Sequence, residues 1–140
     1  MITSFSGSNR FLSNFWPCQV VLDDELYASV EHAYVAAKTL DLDLRHRIRE
    51  YPTAGQVKRL GRQLTLRSDW ESVKLDVMEE LVSQKFTDPT LRALLLETGD
   101  AELVEGNHWG DVFWGVCKGV GQNHLGKILM KVRASCALGQ

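Results

Sequence analysis

Cysteine is scarce in this chain. Its three copies, Cys18, Cys117 and Cys136, are an odd number without Cys-x-x-Cys spacing. That fits neither a disulfide framework nor a zinc site and points to free thiols in a reducing cytoplasm. Long apolar runs are missing, and none approaches membrane-spanning length. The first ten residues, MITSFSGSNR, lack the basic start and apolar core of a signal peptide. Neither sign of charge dominates: 16 basic against 18 acidic residues leave −2. No overall field therefore draws the chain to duplex nucleic acid or anionic lipid, although a local basic patch remains open. The four histidines, His32, His46, His108 and His124, show no metal-ligand spacing, and no His-Glu-x-x-His occurs. Repeats, low-complexity tracts and dividing linkers are absent. A chain of 140 residues with these properties is expected to form one domain, residues 1–140, with a proper core.

What the chain does have is a stretch of unusual density, GNHWGDVFWGVCKGVGQNHLG at 106–126. It holds six of the eleven glycines, together with Trp109, Phe113, Trp114, Asp111, two histidines and Asn123. Glycine lets a backbone take positive φ and approach a ligand closely. Long aperiodic loops in small domains are functional or disordered, and disordered segments are poor in aromatics. This one reads as a ligand-binding loop. Its Trp and Phe faces can stack a base for about 1–3 kcal/mol each, its amides suit phosphate or sugar oxygens, and Asp111 can hold ribose hydroxyls or a ring nitrogen. The alternative is that Trp109 and Trp114 are core anchors and the glycines simple turns. Within the stretch, GVCKGVG at 115–121 lacks the Gly-Lys-Ser/Thr ending of a phosphate loop. Cys117 reads as a packed thiol, since nothing nearby lowers its pKa.

Taken in order, residues 1–10 read as loop up to the anchors Phe11 and Leu12. FWPCQVVL at 15–22 is a short strand, at an edge or starting after Pro17, and Asp23-Asp24 turn into a return strand over 25–28. Ser29 caps a helix reaching about Leu40, with Val30, Ala33, Tyr34, Ala37 and Leu40 on its apolar faces. A charged helix spans 44–51 and ends at Pro52. Thr53 caps another that stops at Gly61, and Arg59, Arg62 and Arg67 gather around that break. Ser68 to Glu71 is a capping-box pattern. Behind it, Trp70, Val73, Val77, Met78, Leu81 and Val82 mark the clearest amphipathic helix, expected as the central core element. Asp88-Pro89 opens a helix with Leu91, Leu94 and Leu95 buried, and 102–105 is a short strand. Asn123 caps a last helix that buries Leu125, Ile128, Leu129 and Val132. The fold class is mainly α with a few short β-strands (α+β).

Glu31 lies in the first turn of the helix capped by Ser29, where the macrodipole favours an ionised carboxylate. Lys38, two turns on, shares its face. Dipole compensation and a surface lysine are the plain readings. The functional ones are a general base or a charge that stabilises an oxocarbenium-like sugar, beside a lysine that holds phosphate or attacks an anomeric carbon. Asn14 lies among aromatics, where a buried amide needs a partner.

FLSNFWPC at 11–18, YASVEHAYVAAK at 27–38, LGRQLTLRSDWESVKLDVM at 60–78, LVEGNHWGDVFWG at 103–115 and GQNHLGKILMKVR at 121–133 together resemble the NADAR (NAD and ADP-ribose associated, YbiA-like) family. The resemblance runs in family order from about Phe11 to Arg133. It implies a single compact, mostly helical domain with minor strands, and an N-glycosidase that cuts between ribose C1 and a nitrogen. Substrates connected with the family are ribosylamino-pyrimidine phosphate intermediates of riboflavin synthesis and ADP-ribosylated guanine, the latter including ADP-ribosylated nucleic acid. The resemblance implies Glu31, Lys38 and Asp111 as the catalytic set. It implies substrate binding by Asn14, Phe15, His32 and Tyr34 from the early motifs, and by Trp109, Gly110, Phe113, Trp114 and Asn123 from the late ones. Glu31 would activate water or stabilise charge at C1. Lys38 would attack the sugar, through a Schiff base, or position it. No metal, organic cofactor, membrane or obligatory protein partner is expected, and the location is cytoplasmic. One departure stands out: Val35 occupies a position that is commonly glutamine, which leaves the choice of base or sugar substituent open. The competing readings are a non-catalytic ADP-ribose or NAD sensor using the same aromatic loop, and a structural interaction domain.

Overall fold

The computed structural model describes residues 1–139. The chain divides into two compact units, Asn14–Lys85 on one side and Met1–Ser13 with the chain from Phe86 onward on the other.

In the unit Asn14–Lys85, strands β1 (Pro17–Leu22) and β2 (Glu25–Ser29) form an antiparallel hairpin with an irregularity between Pro17 and Val20. Asp23 and Asp24 turn the chain with φ of 48° and 70°, the left-handed pair that a two-residue hairpin requires. Four helices follow: α1 (Val30–Ala37), α2 (Leu42–Glu50), α3 (Ala54–Gly61) and α4 (Trp70–Lys85). The Ser29 hydroxyl caps α1 by accepting from the His32 amide, the Asp41 carboxylate caps α2, and Thr53 with Gln56 forms a full capping box on α3. The side-chain amide of Gln84 meets both backbone groups of Val21, accepting at 2.7 Å and donating at 2.9 Å.

The centre of this unit is α1 and not α4. Helix α1 packs against both strands and against α2, α3 and α4, and seven of its eight residues are buried. A helix apolar almost all round belongs inside. It ends earlier than its sequence pattern suggested, so Lys38 is its C-cap and Leu40 lies exposed beyond it. The early stop comes from Arg45, whose Nε donates to the carbonyls of Ala36 and Thr39 while its Nη1 pairs with Asp23 at 2.6 Å.

Gly61 also departs from expectation. It lies inside α3 and not beyond its end. Its Cα faces α1: an added Cβ would stand 3.0 and 3.2 Å from the two Val35 methyls. Glycine here permits close helix approach. Gly61→Ala should cost about 1–3 kcal/mol by overpacking. The loss should shrink in the Val35→Ala background, as chemical unfolding of the four proteins of that cycle will show.

Lys85 is the other surprise, a lysine 2% exposed on the inner face of α4. Burial pulls its pKa down to about 8, with Cys18 opposing the shift. Between pH 8 and 10.5 the unfolded chain holds a proton that the folded chain has released, so stability rises with pH across that window. Urea unfolding should show this slope in the wild type. In Lys85→Met the slope should flatten by about 3 kcal/mol over the window.

Near the start of the other unit Ile2, in a stretch that reads as loop, pairs in parallel with Leu103. A 3-10 helix, Gly7–Leu12, buries Phe11 and Leu12. Helix α5 (Pro89–Glu97), capped by Asp88, packs against α6 (His124–Ala137). Arg92 bonds the Cys136 carbonyl, and Arg133 bonds the Thr98 hydroxyl. Between the helices, β3 (Gly106–Asn107) and β4 (Val116–Cys117) make a short parallel pair. The 102–105 strand expected from the sequence is reduced to a bridge at Leu103. No helix among the described residues is long and apolar enough to cross a membrane.

Candidate active site

The one residue of α1 that is not buried is Glu31, half-exposed in the first turn. Its amide donates to the Asn14 carbonyl at 3.1 Å. The Asn14 side chain is itself turned inward, its amide donating to the Met78 sulfur at 3.5 Å. Lys38 lies two turns on, half-buried, with Nζ 5.5 Å from the centre of the Tyr34 ring. The lysine side chain therefore runs back along α1 towards Glu31. Tyr34 is held in turn by Trp70 of α4, ring centres 5.2 Å apart.

Electrostatics around Lys38 favour the neutral amine. Burial is the main cause of a lowered pKa; Glu31 opposes it, and Lys74, Arg62 and Lys58 reinforce it. A lysine in this state is a better nucleophile at moderate pH than an exposed one. Removing a like charge should let the pKa climb. In Lys74→Met, the pH dependence of Lys38 modification by an amine reagent, followed by peptide mass spectrometry, should move to higher pH.

Two neighbours of the pair have internal duties. His32 is buried, with Nδ1 2.7 Å from the Ser29 hydroxyl and Nε2 2.9 Å from the Tyr51 carbonyl. Its polar atoms tie the start of α1 to the end of α2. Val35 is 1% exposed and packs on Gly61. The departure from the common glutamine thus falls at a helix contact. Phe15 is exposed, with the Lys58 ammonium 5.7 Å from its ring centre.

The glycine-aromatic loop is a rigidly tied structure within the other unit. The Asn107 side chain accepts from the Asp111 amide at 3.0 Å and donates to the Asp111 carbonyl at 2.9 Å. It also donates to the Glu105 carboxylate at 3.1 Å. One Asp111 carboxylate oxygen, Oδ1, accepts from the amides of Phe113 and Trp114, so Asp111 shapes the loop that carries the aromatics. Gly110 supplies a φ of 88° that few other residues tolerate. Trp109 is 48% exposed, which removes the reading of it as a core anchor. Phe113 meets Trp114 edge-on at 4.8 Å and His124 at 4.5 Å.

Asn123 does not cap α6 with its side chain. It sits at φ 54°, accepting from the Glu105 amide and donating to the Leu103 carbonyl. The asparagine is spent on holding the loop's two ends. Sequence reasoning missed Asn107, although Asn in a glycine-rich stretch is a residue whose side chain bonds nearby backbone to shape turns. It also missed Lys58 and Lys74 around Lys38, two single charges on separate helices that converge only in the fold.

The NADAR domain model matches residues 4–136, a single match that runs through both units. The N-glycosidase YbiA of Escherichia coli is 38% identical over 99% of this chain and 89% of its own length. An N-glycosidase of Nostoc punctiforme is 43% identical over 86% of this chain and 81% of its own. A riboflavin biosynthesis protein of Vibrio vulnificus is 42% identical over 90% of this chain, which spans only 35% of that protein. The NMR structure of Escherichia coli YbiA matches with a TM-score of 0.85 at 37% identity, covering 99% of this chain and 84% of that one. The chain belongs to the NADAR family.

Proposed function

We propose that this chain hydrolyses the bond between ribose C1 and a base or amine nitrogen, with Glu31 and Lys38 as the catalytic pair. It is an N-glycosidase: relatives of that name match it over most of both chains. The observation that carries the assignment of the pair is its geometry. The one solvent-reaching residue of an otherwise buried helix shares a face with a lysine whose pKa is lowered by burial.

In this reading the Lys38 amine attacks C1, the C1–N bond to the base breaks, and the sugar ring opens to a Schiff base as a second proton passes from Nζ to the ring oxygen. The first proton lost by Nζ goes to the departing nitrogen. Glu31 then activates water, which hydrolyses the C1–Nζ linkage, freeing the sugar and restoring the amine. The favoured substrates are ribosylamino-pyrimidine phosphates, supported by the matched third of the riboflavin biosynthesis protein. ADP-ribosylated guanine is the second class. Trp109, Phe113 and Trp114 offer aromatic faces on a loop whose shape Asp111 maintains. Free thiols suit a reducing cytoplasm.

Purified protein should release base from one of these substrates, read by mass spectrometry. Glu31→Gln and Lys38→Ala should each lower kcat by at least about 100-fold, the usual scale for a positioned acid–base group. Borohydride added during turnover should trap sugar on Lys38. Full activity in both variants would overturn the assignment, and tight ADP-ribose binding without any base release would favour a sensor.

A further inference from the structure

Helices α3 and α4 both pack against α1 in one unit, and cations from the three act on one another. Lys38 ends α1, Lys58 lies in the last turn of α3, Arg62 follows α3 directly, and Lys74 stands one turn into α4. Lys58, Arg62 and Lys74 all act on the Lys38 ammonium. Lys58 and Arg62 are one turn apart on the same face, and the backbone beside them is in close reach: a Cβ on Gly61 would stand 3.5 Å from Lys38 Nζ. Lys58 extends over Phe15, the neighbour of Asn14, whose carbonyl receives the Glu31 amide. Two carboxylates share the region, Glu31 and Glu71, the latter paired with Lys74 at 2.6 Å. With Lys38 protonated, the four cations and two carboxylates leave two positive charges.

Helix dipoles explain only part of this. Cations at the ends of α1 and α3 do compensate the negative helix pole. Lys74 is near the positive pole of α4, where only its pair with Glu71 offsets the dipole, and Lys38 is half-buried among like charges. Gathering like charges around a partly buried amine costs stability unless an anion offsets them, and such arrangements mark functional sites.

We propose that Lys58 and Arg62 form the subsite for the phosphate on the ribose 5-oxygen, beside the Glu31–Lys38 pair. This rests on the N-glycosidase reading and names how its substrate is held. The shared chemistry is a 5-phosphoryl group with about two negative charges, which comes either as a monoester or as the diphosphate of ADP-ribose. Lys58 and Arg62 supply directed N–H donors. Lys74, paired with Glu71, adds to the local positive field.

The test is calorimetric titration of the full chain with ribose 5-phosphate and with ADP-ribose in phosphate-free buffer. The proteins are wild type, Lys58→Met/Arg62→Met, the single Arg62→Gln, and Arg59→Met as a control. Arg59 is an exposed cation of the same helix and is not among the groups acting on Lys38. The double variant should lose at least about tenfold in affinity and Arg62→Gln a smaller factor, as expected for charge-assisted bonds, with Arg59→Met unchanged. Loss towards both ligands supports the shared subsite, and loss towards ribose 5-phosphate alone supports the monoester form. Unchanged affinity in the double variant and in Arg62→Gln, or an equal loss in Arg59→Met, overturns it. Circular dichroism identifies a misfolded double variant, in which case Arg62→Gln against Arg59→Met decides. Because binding is read without turnover, failure of the N-glycosidase assignment would appear as absent base release with the titrations intact.

Discussion

Burial of α1 is the constraint on which the rest of its unit depends. A helix of only eight residues has little stability of its own. It is held here by a Ser29 cap at one end, by Arg45 on the Ala36 carbonyl at the other, and by neighbours on nearly every side. The same enclosure that fixes the helix leaves a single place for a charged side chain in its first turn, and Glu31 occupies it. Position, burial and chemistry are thus set by one packing arrangement, with no separate device needed to aim the carboxylate.

The loop follows a different logic. It has almost no regular structure, yet its shape is determined by side chains bonding to backbone. Asn107 and Asp111 close one turn, and Asn123 near the loop's end bonds back to Leu103 and Glu105 before its start. Trp109 can stay half-exposed because the backbone beneath it is secured. Pre-organisation of this kind lowers the ordering cost of binding a flat ligand.

Local features were legible in the sequence wherever a short-range rule governs them. The Asp23-Asp24 hairpin, the caps Ser29, Thr53 and Asp88, and the inward faces of Leu125, Ile128, Leu129 and Val132 all follow from neighbours within four residues. The shared face of Glu31 and Lys38 is likewise a matter of helical period. What the sequence did not reveal depends on contacts far along the chain. Gly61 resembles a helix stop until α1 is seen against it. Asn123 resembles a cap until its amide is seen to reach Leu103 and Glu105. Lys85 sits in an apolar stripe that is expected to exclude it, and the sequence singles out α4 as the central core element although α1 is the more enclosed. Periodicity reports one wet face and one dry face, so a helix with no wet face gives a weak signal.

The Gln84 side chain, which bonds both the amide and the carbonyl of Val21, has a consequence for the protein in a crowded solution. A two-stranded hairpin leaves the outer side of each strand with unsatisfied backbone groups, and a second chain can pair with them. At Val21 that invitation is withdrawn, because the glutamine amide mimics the peptide group of a third strand and saturates the site from within. One side chain on α4 thereby guards β1 against edge-to-edge association, and does so without a charge or a proline in the strand's second half.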